Sequence, residues 1–319
     1  MHKQIAILSL ADDLHALVIR KALEDRYDVT CSVIETERIC GSSGLNWSNV
    51  DSVPTALQTM TGDCLDVRTL DLVWWRRVST PQLVPSDITD PAQMDFITND
   101  CREAVLGLFL NEFCGTWISD PQATRLAGNK LVQLRAAQRA GFRTPQTLIS
   151  QNPQQIRQFC AALDNRVVVK AVKGTMKAPT LTAMVNEAML QHEASLRLCP
   201  AIYQEFIAGT RHVRANCFGD AIYAALIESE DLDWRQNLNV PVSPYDLPEK
   251  VKVRLRKVLR HLGLKMGIVD LKLDERGEAV WLEVNPQGQF LFIEGLCGLK
   301  LIDAFSDFLY SEANSRHRA

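Results

Sequence analysis

The sequence has no Gly-rich turn after its first apolar run, no GxxxxGK[ST] stretch, no CxxC pair and no HExxH. Each absence removes a class of protein. Without the first, a dinucleotide-binding fingerprint is excluded. Without the second, nucleotide phosphates need a cradle other than a P-loop. Six histidines without ligand spacing argue against structural zinc. Nine cysteines scattered from Cys31 to Cys297 read as the reduced thiols of a cytoplasmic protein. The longest wholly apolar run is about seven residues, far short of a membrane span. The first apolar stretch stops at Asp12 and Asp13, against a secretion signal. A formal charge of −3 and 46% hydrophobic residues describe a globular chain, neither disordered nor built to coat nucleic acid. At 319 residues it can bury a large core and form two or three subdomains.

What is present begins as an α/β domain, with a strand over 5–10 and a helix over 12–25. Residues 41–65 are loop-rich. LDLVWWRR (70–77) reads as a strand ending in two arginines, and 78–91 as a Pro-punctuated connection. A long helix over roughly 92–113 and a short strand at 116–119 follow. Asn129 suits the N-cap of a helix over 130–140 that Gly141 closes. After a strand at 144–149 and a helix near 153–163, VVVKAV (167–172) is apolar apart from Lys170 and predicts a strand buried on both faces. Further strands are expected at 201–207, 213–219 and 221–228. The helix expected over 249–262 turns Val251, Leu255, Val258, Leu259 and Leu262 inward. Its other face is basic, with no acid beyond Glu249. The simplest reading of that face is a solvated helix, and an acidic-peptide contact is the minority reading.

The chemistry concentrates in WLEVNPQGQFLFIE (281–294) and the strand before it. IVDLKL and AVWLEV flank Asp274, Glu275, Arg276 and Gly277, the pattern of a β-hairpin. With those four residues as the loop, Asp270 pairs with Trp281, and Glu283 and Asn285 lie diagonally along its face; a bulge would break that geometry. Asp270, Glu283 and Asn285 are hard oxygen ligands that suit Mg²⁺ carrying nucleotide phosphates. The bland alternative is an ordinary hairpin with its polar residues outward. Lys130 stands at a helix start, where the dipole disfavours a cation unless an anion is near. Lys170 interrupts an apolar strand, where an ammonium needs a partner such as phosphate. Taken singly, each lysine reads as a surface side chain. Arg214, Arg235 and Asn237 adjoin apolar strands and singly read as surface groups, although Trp234 beside Arg235 suggests a fixed guanidinium. Glu205 suits ribose or adenine, or is an edge-strand carboxylate.

In order, these segments resemble the ATP-grasp carboxylate–amine ligases across 119–300. LDLVWWRRVSTPQ, WISDPQATRLAGNKLVQLRAAQRAGFRTPQTLIS, DWR and LEVNPQGQFLFIE resemble one branch more closely, the graspetide (microviridin-type) peptide macrocyclases. That branch is related to the ribosomal-protein glutamate ligases, whose Arg-x-Asn pattern matches Arg235 and Asn237. The resemblance implies an α/β (α+β) chain with an ATP-grasp fold. An N-terminal α/β pre-ATP-grasp domain would span 1–118, a central subdomain 119–205, and a C-terminal subdomain with the metal site 206–319. It also implies that Lys130 and Lys170 bind ATP phosphates, and that Gln204, Glu205, Phe206 and Ile207 line adenine and ribose. Asp270, Glu283 and Asn285 would hold Mg²⁺, while Arg214, Arg235 and Asn237 serve catalysis. The chain departs from the pattern at His212, where the family often has a ribose-binding acid, and in a loop after Lys170 whose only glycine is Gly174.

The activity implied is ATP-dependent macrocyclisation of a ribosomally made precursor peptide with leader and core. An Asp or Glu carboxylate would be phosphorylated, and a Ser or Thr hydroxyl or Lys amine would displace the phosphate, leaving an ester or amide. One rival is a ligase that adds a free amino acid to a protein or small-molecule carboxylate. Another is an inactive ATP-grasp module that binds a peptide. No nucleic acid or membrane partner is expected, and a homodimer is left open.

Overall fold

The computed structural model describes residues 2–41, 44–50, 55–78, 81–174 and 181–315. Two compact units divide the chain. One comprises Met1–Pro121 and the residues from Lys300 onward, the other Gln122–Leu299. The expected segment 206–319 therefore runs across a unit boundary. Its closing helix, Leu301–Asn314, packs in the first unit, where Phe305 meets Trp74 edge-on at 4.7 Å.

In chain order the first unit runs β1 (Lys3–Ser9), α1 (Leu14–Arg26), β2 (Val29–Glu35), β3 (Leu45–Asn46), β4 (Ala56–Gln58), β5 (Cys64–Leu65), β6 (Leu72–Trp75), α2 (Pro91–Glu112) and β7 (Thr116–Ile118). Its main sheet has the order β2-β1-β6-β7 and is parallel throughout. That is why β1 and β6 are apolar without alternation: helices cover both faces. Arg76 and Arg77 fall just beyond β6, not within it. Asp13 caps α1 by accepting from the His15 amide (3.1 Å), and the same buried carboxylate receives Ser9 Oγ and Arg76 Nε (2.6 Å). Burial opposes the ionisation of Asp13, yet Arg76 prevails and holds its pKa down to about 2.

The second unit runs α3 (Pro121–Ala127), α4 (Lys130–Arg139), β8 (Thr147–Ser150), α5 (Pro153–Ala162), β9 (Val167–Ala171), β10 (Ala183–Met184), α6 (Glu187–Gln191), α7 (Glu193–Leu198), β11 (Ala201–Glu205), β12 (Arg211–Phe218), β13 (Ala221–Glu228), β14 (Val242–Tyr245), α8 (Glu249–Leu262), β15 (Met266–Leu273), β16 (Ala279–Asn285) and α9 (Leu291–Cys297). It holds two sheets, β10-β9-β11-β8 and the antiparallel β14-β13-β12-β15-β16. The second sheet is two-faced. Val213, Ala215, Val269, Leu271 and Leu273 join a core with α4 and α8, including the five α8 residues expected to point inward. The alternate residues His212, Arg214, Asp270 and Lys272 belong to the opposite face. Among the described residues, β9 is not buried along its length. Val167 and Val168 are buried, while Val169, Lys170 and Ala171 are part-exposed.

The hairpin differs from its expected register. Leu273 pairs with Ala279, so the loop holds five residues, Asp274–Glu278. Asp274 explains the extra one: its Oδ1 accepts from the Arg276 and Glu278 amides (3.0 and 2.8 Å), with Gly277 at φ +78°. A bulge at Leu282 then shifts the ladder so that Asp270 faces Glu283 directly. The bulge, expected to break the alignment of the acids, creates it.

Candidate active site

A cleft of about 260 Å³ is lined by Lys130, Lys170, His212, Arg235, Asp270 and Glu283, among others. The Asn129 carboxamide accepts from the Leu131 amide (3.0 Å) and starts α4, which places Lys130 in its first turn. Lys130 Nζ lies 3.5 Å from Glu283 Oε2 and donates to the Ala171 carbonyl at 3.4 Å. Gln133, one turn on, is buried and behaves as a substitute β-strand neighbour. Its carboxamide donates to the Val284 and Ala127 carbonyls (2.9 and 2.7 Å) and accepts from the Val284 amide (2.9 Å). This side chain locks α4 against the residue after Glu283. Sequence reasoning missed it, although a glutamine on the apolar face shared with Ala136 and Ala137 was the available signal.

The cleft is electrostatically unfinished. Burial pushes Lys170 down to about 8, against the pull of Glu283, and Lys130 and Arg235 add to the lowering. Burial opposes the ionisation of Glu283 as well, but Lys130, Lys170 and Arg235 outweigh it and hold the carboxyl below its usual range. Asp270 is raised by burial, with Arg214 opposing and Glu283 adding to the rise. His212 is pushed to about 4 by burial and by Lys272, so it is neutral at pH 7. Its Nε2 is buried without a hydrogen-bond partner. Two ammonium groups, two carboxylates and an orphaned imidazole nitrogen suit a ligand that is polyanionic and also carries hydroxyl or amine groups.

The remaining predicted residues take other places. Arg214 is buried behind Asp270, donating to both of its carboxylate oxygens (2.8 and 3.1 Å) and to the Gln289 carbonyl (2.9 Å). Its guanidinium lies over Trp234 and Phe292, at 5.7 and 5.4 Å from the ring centroids. Trp234 thus steadies Arg214 and not Arg235, as its place beside Arg235 had suggested. Arg235 is held instead by Asp233, through Nε (2.7 Å) and Nη2 (2.6 Å), with Nη1 3.8 Å from Glu283. Asn285 follows Glu283 on β16, but it is exposed and its oxygen accepts from the Gln287 amide at 3.0 Å. Asn237 similarly accepts from the Asn239 amide at 3.0 Å. Neither lines the cleft.

Gln204 is buried and donates to Thr147 (2.9 Å). Glu205 ends β11, and its carboxylate is taken by Arg143 (2.9 Å) and the Gln146 amide (3.1 Å). Phe206 and Ile207 lie past the strand, although 201–207 was expected to be strand throughout. With Glu205 they line a neighbouring recess of about 460 Å³, not the lysine cleft. The loop after Lys170 continues through residues 175–180, which lie outside the described residues.

The model of the RimK-like ATP-grasp domain matches residues 127–309. Three solved structures are similar over nearly the whole chain. The first is the macrocyclase MdnC bound with precursor peptide MdnA from Microcystis aeruginosa, with TM-score 0.87, 22% identity, and 97% of this chain and 99% of that chain covered. The second is a RiPP-associated ATP-grasp ligase of Chryseobacterium gregarium in complex with ADP and a leader and core peptide, with TM-score 0.85, 21% identity and 97% of each chain covered. The third is the ATP-grasp ligase PsnB with a phosphomimetic variant of its minimal precursor, Mg and ADP, with TM-score 0.77, 20% identity, and 98% of this chain and 99% of that chain covered. No curated protein sequence matches. With the family's model spanning more than half of its length, the chain belongs to the RimK-like ATP-grasp family.

Proposed function

We propose that the protein is an ATP-dependent peptide macrocyclase that joins Asp or Glu side chains to Ser or Thr hydroxyls or Lys amines of a ribosomally made precursor. The observation that carries this reading is the likeness to peptide-handling ATP-grasp ligases over 97% of the chain, which takes in the first unit as well as the ATP-grasp domain. The cleft chemistry agrees with it. Lys130 and Lys170, both lining the cleft, would hold nucleotide phosphates. Asp270 and Glu283 offer two carboxylates to Mg²⁺, whose shell phosphate oxygens and water would complete, the usual manner of binding this ion. Mg²⁺–ATP supplies the phosphoryl group that activates the peptide carboxylate. Arg235, beside Glu283 and clamped by Asp233, would neutralise charge on the acyl phosphate. Arg214 would act by orienting Asp270, and His212 Nε2 would meet a hydroxyl of the nucleotide. Gln204–Ile207 would serve adenine through backbone groups more than through the engaged Glu205 carboxylate. Asn285 and Asn237 would need to turn to take part.

The test is mass spectrometry of the precursor after incubation with enzyme, ATP and Mg²⁺. Loss of one water per crosslink is expected. A gain of one amino-acid residue would establish a ligase of free amino acids, and tight binding without a mass change would establish an inactive module. Among the described residues no helix is long and apolar enough to cross a membrane.

A further inference from the structure

We infer that the outer face of the α4–α8 helix pair is a docking surface for an acidic segment of the peptide, an inference that rests on the peptide reading above. The two helices are in contact and send Ala136, Ala137, Leu255 and Val258 into one core. They carry nine Lys and Arg residues and a single acid, Glu249, in a chain whose formal charge is −3. Solvated helices ordinarily interleave charges, and like charges three or four residues apart destabilise a helix. Here Arg135 and Arg139 on α4, and Lys250, Arg254 and Lys257 on α8, repeat at that spacing. Among the described residues, Lys252 and Arg256 are the α8 cations with carboxylate partners, Asp246 and Glu249. Among the described residues, no carboxylate pairs with the others.

The surface is also fixed in place. Arg254 lies over the ring of buried Phe142 (5.9 Å), beside Gly141 at the end of α4. Its charge is presented on a pinned side chain, so less entropy is lost on binding. The occupant follows from charge complementarity. A peptide that donates an Asp or Glu to each crosslink is rich in acids by the nature of the reaction. A nucleic acid is less well matched, because the aromatic ring at this face is covered and offers no stacking platform. The geometry suits a remote anchor. α4 has Lys130 in the cleft and Arg139 at its other end, a rise of roughly 14 Å that a few extended residues span. An anchor at that range raises the local concentration of the reacting segment.

The test uses the full chain and a fluorescein-labelled peptide of alternating Glu and Gly, which holds no nucleophile and cannot be crosslinked. Anisotropy should report binding that weakens at least about tenfold in Arg139→Glu/Lys257→Glu and falls with added salt. In crosslinking assays the same variant should raise KM for the precursor and leave kcat and the KM for ATP unchanged. Equal affinity in wild type and variant would overturn the inference. So would tighter binding of an oligoadenylate than of the peptide, lost in the same variant. If no precursor is ever crosslinked while the anisotropy behaves as expected, the macrocyclase reading falls and the acidic-ligand surface stands.

Discussion

Two charge clusters, one buried and one lining an open cleft, sit in this chain, and they are built on opposite rules. In the first unit, at the carboxyl ends of β1 and β6, every oxygen of Asp13 is used: Ser9, the His15 amide and Arg76 converge on it, and Arg76 rests 4.9 Å over Trp74. In the second unit, burial lowers Lys170 to about 8 against the pull of Glu283, and His212 Nε2 has no hydrogen-bond partner. A completed network is architecture; an incomplete one is a binding site awaiting its ligand. The first cluster is buried, with Asp13 and Arg76 almost fully covered, while Lys130 and Glu283 remain about a quarter exposed. Satisfaction tells them apart as well.

The comparison breaks most easily at its strongest point. Arg76→Met leaves the Asp13 carboxylate buried without its cation, so unfolding free energy should drop by about 3–5 kcal/mol. Denaturant titration checks it, and a loss under about 1 kcal/mol would make the network dispensable. Glu283→Gln should do the reverse. Turnover should fall at least roughly a hundredfold, while the thermal midpoint stays within a few degrees. Near-normal turnover in a folded variant would remove Glu283 from the metal site. Arg235→Lys keeps the charge and loses the fork that Asp233 grips, so turnover should fall about tenfold with little change in stability.

Gln133 tests whether a satisfied group can serve an unsatisfied site. In a double-mutant cycle on nucleotide affinity, Gln133→Met and Lys130→Met should couple by about 0.5–3 kcal/mol; additive losses would make Gln133 merely structural. The smallest effect is on pH. Asp13 titrates near 3.9 unfolded and about 2 folded, so its contribution is present above about pH 4 and lost as pH falls toward 2. The acid limb of the stability curve should therefore flatten in Asp13→Asn; an unchanged limb would assign acid sensitivity to other carboxylates.

The parts legible in the sequence are those set by short-range chemistry. Asn129, the apolar stripe of α8 and the apolar run around Lys170 each reveal their element in place, because caps and periodicity act over a few residues. What escaped depends on partners distant in the chain. Glu205 looks free until Arg143 reaches it, 62 residues away. Trp234 looks like Arg235's neighbour until folding sets it against Arg214. Gln133 gains its meaning only from Val284, 151 residues on. The length of the hairpin loop depends on the Asp274 side chain reaching the Glu278 amide, together with Gly277 at positive φ.

Leu282 is the one residue of its strand that the sheet does not require. Remove it, and Trp281 would still oppose Leu271, while Glu283 would still oppose Asp270 in an unbroken ladder. The hairpin could be spelled with one letter fewer. That surplus letter places an apolar side chain on the cleft wall, next to Glu283. A chain shortened at this position would keep its grammar and lose a word, remaining folded with both carboxylates aligned and with a differently shaped place for the ligand.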